Sequence, residues 1–212
     1  MSFRTTVAVA NTSVFAALAV ILTFVNVEFP FPLLPYLKFD VAEIPIMILM
    51  FLNGPIPSLM AELITWVALS VSRGWVLGPA MKLLAVVPMI IGYWIGIETF
   101  TKISKSENLS ARFGFGSAIG AIFRIIAASV MNVIILLWVA PDFLRFAGST
   151  LRALGLITAS SQEVLFWTLL LTGVFNALHV LLSAVFALVI VRGAAFKIPW
   201  VIQKAWVLKR PK

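Results

Sequence analysis

A chain of 212 residues that is 62% hydrophobic and only 11% charged lies far outside the soluble balance of about a quarter charged, which excludes an ordinary water-soluble domain. With no cysteine and a single histidine, it also excludes disulfides, thiolate metal ligands, a cysteine nucleophile and a multi-histidine metal site. At about 20 apolar residues per span, what remains is an all-α integral membrane protein, one domain over residues 1–212 with room for five or six crossings.

Apolar runs near 8–27, 41–53, 57–72, 77–99, 114–140 and 163–192 predict a bundle of six transmembrane helices. The first contains Ala17-Leu18-Ala19, a sequence a signal peptidase could cut. The apolar run continues to Val27 and only Arg4 precedes it, so the helix is read as retained. One face of it reads Ala8, Thr12, Ala16, with Ser13 and Ala17 beside it, a small-residue stripe that lets another helix approach closely.

Between the first two runs, residues 28–40 form an outer loop that ends in "PLLPYLKFD". Pro32 and Pro35 make this loop extended and stiff, Tyr36 and Phe39 supply aromatic faces, and Lys38 and Asp40 supply opposite charges. Over the mouth of a bundle it reads as a lid on a small-molecule site. Asp40 and Glu43 also stand where the N-terminus of helix two favours negative charge. Helices two and three are short and meet in a tight hairpin at Asn53-Gly54-Pro55-Ile56-Pro57.

Three ionisable residues fall inside apolar runs: Glu62, Lys82 and Arg124. Charge at membrane depth is costly, so each is expected to face the interior, and Glu62 and Arg124 are expected to pair and staple helices three and five. Lys82 lies just inside its helix, placed either to snorkel or to line an outward-facing cavity. Asn132 in helix five and Asn176 with His179, three apart on helix six, could converge on the same cavity or serve as interhelical packing contacts. A competing enzymatic reading, an intramembrane serine protease, pairs Ser117 of "GFGSAIG" with His179. Their expected offset along the membrane normal argues against it. An autonomous secondary transporter would call for an inverted repeat, which the sequence does not display.

With the N-terminus inside, ten loop and tail cations (Arg4, Lys102, Lys105, Arg112, Arg192, Lys197, Lys204, Lys209, Arg210 and Lys212) share its face, against Lys38, Arg73, Arg145 and Arg152 on the other. That asymmetry predicts both termini in the cytoplasm. It also accounts for most of the net charge of +8 without a nucleic-acid partner.

"FPLLPYLKFDVAEIP", the "FLNGP" turn, Asn132 and "FNALH" together resemble the substrate-binding S components of energy-coupling factor (ECF) transporters, most closely the riboflavin-binding members. The resemblance implies a multi-pass cell-membrane protein without enzymatic activity or cofactor. It would bind a small-molecule vitamin, riboflavin or a related flavin, at its outer face. A separate module of one transmembrane scaffold subunit and two ATPase subunits would energise uptake, in keeping with the lack of a phosphate-cradling GxxxxGK sequence in this chain. Carried over, it places Leu37, Lys38, Phe39 and Asp40 of the loop at the ligand with Asn132 and Asn176, and makes the Ala8, Thr12, Ala16 stripe the scaffold-docking face. An aromatic ligand would stack against Phe39, Tyr36 and Trp75, while Lys82, Asn132 and Asn176 hold its polar edge. The chain departs from the riboflavin pattern at His179, where a lysine is typical, and at Pro79 and Lys82, where glutamate and asparagine are typical. A related vitamin such as thiamine or pantothenate is therefore the alternative ligand.

Overall fold

The computed structural model describes residues 3–74, 76–104, 108–156, 158–197 and 205–208, without the side chains of residues 3–5, 73 and 195. In chain order these form α1 (Phe3–Val25), β1 (Glu28–Phe31), β2 (Leu34–Asp40), α2 (Glu43–Asn53), α3 (Pro55–Arg73), α4 (Leu77–Ser104), α5 (Leu109–Ile134), α6 (Asp142–Ala153) and α7 (Ser161–Lys197). A π-helical turn, Ile135–Val139, prolongs α5, and a 3₁₀ turn, Trp206–Leu208, follows α7.

Five of these helices, α1, α3, α4, α5 with its π turn, and α7, are long and apolar enough to cross a membrane. This is a multi-pass membrane protein, but the expected six spans need correction. At 11 residues, α2 rises only about 16 Å and falls short of a bilayer core of about 30 Å. One helix beyond the six expected, α6, lies in a stretch read as loop. It has no long apolar run. Its Leu144, Ala147, Gly148 and Leu151 recur at helical spacing and face inward, Leu151 being fully buried.

The short α2 is the core of the bundle. Ile46, Met47, Leu49 and Met50 are all inaccessible, as expected of a helix that is apolar all round. It ends at Gly54, whose φ of 95° suits glycine, and Pro55 opens α3. Helices α4 and α5 pack closest, because Gly92 and Gly96 face Gly116 and Gly120. A Cβ on Gly92 would stand 2.9 Å from the Gly120 Cα, so only glycine allows this approach.

At the Gly54 end of α2 the C-terminal segment closes the bundle. Trp206 covers Gly54, and the buried Arg112 donates to the Val207 carbonyl at 3.1 Å. At the other end, the stretch read as a lid loop is a β-hairpin, its antiparallel strands pairing Glu28 with Asp40 and Phe29 with Phe39. We refer to this as the hairpin end.

The stripe on α1 also differs from expectation. Thr12 and Ala16 are 7% and 2% exposed, and α1 packs on α2 and α3. Ala8, Thr12 and Ala16 therefore seat α1 within its own chain, where small side chains let α2 and α3 come close. Ala10, Ser13 and Ala17 face outward instead.

Candidate ligand-binding cavity

A cavity of about 330 Å³ opens at the hairpin end, lined by both hairpin strands and by α1, α2, α3, α4, α5 and α7. Such a volume is at the low end of the roughly 300–1,000 Å³ typical of small-molecule sites. Leu37, Lys38, Asp40, Lys82, Asn132, Asn176 and His179 all line it. Phe39 stands behind this wall, its ring 4.8 Å from that of Phe175 and 5.6 Å from that of His179. It supports the hairpin, while Tyr36 and Phe175 supply the aromatic lining. Partial burial raises the Tyr36 phenol to about 12, so at neutral pH it is an uncharged donor. Trp75 lies outside the described residues.

Charge in the cavity is organised in pairs. On the hairpin, Lys38 Nζ meets Glu28 Oε2 at 2.8 Å. Lys82 on α4 forms a salt bridge with Asp40 on β2, tying the hairpin to the bundle. Deepest is Arg124, 3% exposed, whose Nη1 and Nη2 reach Glu43 Oε2 and Oε1 at 2.8 and 3.0 Å. Bidentate geometry of this kind is what compensates a buried charge pair for its lost hydration.

The same guanidinium donates from Nε to Asn176 Oδ1 at 2.8 Å and from Nη2 to His179 Nδ1 at 3.1 Å. Arginine has no acceptor, so His179 Nδ1 must accept, and its Nε2 carries the proton. That Nε2–H lies 3.1 Å from the Asp40 carbonyl oxygen. His179 thus joins the buried cluster to the hairpin strand.

The expected Glu62–Arg124 pair is not formed. Arg124 projects to Glu43 at the start of α2, and Glu62 Oε2 is buried without a hydrogen-bond partner among the described residues. The orientation of α2 places Glu43 so that both of its oxygens meet the arginine fork. Nor does Glu43 cap α2. Asp40 takes the local role, its Oδ1 accepting from the Ala42 amide at 2.7 Å. Ser117 and His179, the residues of the protease reading, have separate partners, Ser117 Oγ sharing a hydrogen bond with the Tyr93 hydroxyl.

Sequence reasoning did not assign Glu28, Glu43 or Arg124 to the cavity wall. Glu43 carried a usable signal: an acid followed by the apolar run 44–52 sits at a buried helix start and needs a cation.

Against proteins of known structure, the chain is similar to a solved chain described as the S component of a bacterial ECF transporter. The TM-score is 0.65 over 92% of this chain and 98% of that one, at 21% sequence identity. The likeness is one of fold. No protein-family model and no curated protein matches the sequence.

Proposed function

We propose that this chain is the substrate-binding subunit of an ECF-type vitamin uptake transporter, most simply for riboflavin or a related flavin. The observation that carries the reading is the placement of a polar-and-aromatic cavity under a β-hairpin, in a fold similar to that of an ECF S component. Asn132 and Asn176 on adjoining walls suit the donor and acceptor edge of a heteroaromatic ring, and Tyr36 and Phe175 suit its faces. A pre-formed site of this kind could reach about nanomolar affinity, on the order of −12 kcal/mol. Release then needs outside work, which a scaffold subunit and two ATPase subunits would supply. The protein would sit in the cell membrane with both termini cytoplasmic, and the outward small residues of α1, Ala10, Ser13 and Ala17, would replace Ala8, Thr12 and Ala16 as its docking face.

The test is to purify the protein in mild detergent and record the absorbance and mass of whatever co-purifies. A flavin spectrum at about one equivalent per chain is the expected result. A colourless sample stabilised against heat by thiamine or pantothenate but not riboflavin would retain the transporter class and change the ligand. No response to any vitamin would overturn the proposal.

A further inference from the structure

Hydroxyl side chains in these helices mostly satisfy themselves by donating to a backbone carbonyl one turn earlier. On α1, Thr12 donates to the Ala8 oxygen at 2.8 Å and Ser13 to that of Val9 at 3.1 Å. On α3, Ser58 donates to Gly54, Thr65 to Ala61 and Ser72 to Leu69, all within 3.0 Å. This is the ordinary arrangement where no water is at hand.

Thr23 and Ser70 break the pattern. Among the described residues, the buried side-chain atoms without a hydrogen-bond partner are Thr23 Oγ1, Ser70 Oγ, Trp66 Nε1 and Glu62 Oε2. Their placement is not scattered. Glu62, Trp66 and Ser70 are spaced four apart and form one stripe along α3. Thr23 lies on α1, which packs against α3, and like Ser70 it falls in the last turn or so of its helix at the hairpin end.

The stripe adjoins the cavity. Thr23 and Leu69, the latter next to Ser70 in the chain, are part of the cavity wall. From Ser70 to Glu62 the α3 axis runs about 12 Å. A carboxyl group, an indole N–H and two hydroxyls, each buried unpaired, would together cost several kcal/mol in a dry apolar setting. Water between them would supply partners to all four.

We infer that Thr23, Ser70, Trp66 and Glu62 line a hydrated arm of the cavity, running between α1, α3 and α4 toward mid-bundle and ending at Glu62. The chemistry it accepts is hydroxylic, and its occupant in the free protein is a file of ordered water. Donors and acceptors alternate suitably along it: the two hydroxyls serve as both, the indole donates, and the carboxyl group accepts. The arm is a property of the chain itself and does not depend on which vitamin the cavity takes.

The absence of native cysteine makes the test direct. Single variants Ser70→Cys and Glu62→Cys, in the full chain reconstituted into vesicles, are treated with a charged, membrane-impermeant thiosulfonate from the hairpin side. Val67→Cys and Leu63→Cys are the controls, since these side chains are 52% and 47% exposed on the outer surface of the same helix. Ser70→Cys and Glu62→Cys are expected to react at least about tenfold faster than their controls, because the reagent and the reactive thiolate both require water. Equal, slow rates at all four positions would overturn the inference. Should a cysteine variant fail to fold, millisecond radiolytic footprinting of the wild-type protein gives an independent reading. Oxidation of Trp66 is expected, and an unmodified Trp66 beside an oxidised Trp138, which is 70% exposed, would overturn the inference.

Discussion

Arg124 joins four partners on three other helices, Glu43 on α2, Met89 on α4, and Asn176 and His179 on α7. Its removal would strand the Glu43 carboxylate in the core, so Arg124→Ala is expected to destabilise the protein by about 3–5 kcal/mol, seen as a lower melting temperature in detergent. A double-mutant cycle should give strong coupling between Arg124 and Glu43 and none between Arg124 and Glu62, which reverses what the sequence suggests. Lys82→Ala and Asn132→Ala touch the cavity rather than the core. They should weaken riboflavin binding by about tenfold or more, at about 1.4 kcal/mol for each tenfold, in calorimetry on folded protein. Unchanged affinity in both would contradict their place at the ligand. At this scale the sequence conveys which residues are costly in a membrane, and the cavity does gather Lys82, Asn132, Asn176 and His179. It does not convey the pairing, because Glu43 and Glu62 are both acids one helix away from Arg124. Only the orientation of α2 decides between them.

Among the elements, the α4–α5 contact is the most sensitive to added volume. A Cβ on Gly120 would stand 2.5 Å from the ring of Tyr93, itself fully buried, so neither neighbour can yield cheaply. Gly120→Ala is expected to cost about 1–3 kcal/mol by overpacking, read as a drop in melting temperature, while Gly114→Ala, with open space around it, should be close to silent. The hairpin makes a second element-scale prediction. Asp40→Asn weakens its tie to Lys82, and amide exchange over residues 28–40 should accelerate while that of α4 stays unchanged. Long apolar runs were legible as helices, and so was the Gly54 turn. Less legible was α6, because an amphipathic helix of 12 residues shows no apolar run, only a period. The early start of α5 was equally hidden, although Asn108 accepts from the amides of Ser110 and Ala111 and so bears an ordinary N-cap signature.

For the molecule as a whole, the sequence specifies a membrane bundle. The number of crossings is less accessible, since α2 is as apolar as any span but half as long, and hydropathy reports polarity rather than length. The proposed subunit role has an outcome at this scale: vesicles containing this chain alone should bind riboflavin at the hairpin face and accumulate none, even with internal ATP. Uptake by the chain alone would point to an autonomous transporter. The paired charges of the cavity have a kinetic consequence. Glu28 with Lys38, Asp40 with Lys82 and Glu43 with Arg124 leave the cavity wall without net charge, so the wall itself gives an approaching molecule little steering from a distance. Capture should therefore proceed at the same rate in dilute and in concentrated salt, and a charged analogue should arrive no faster than a neutral one.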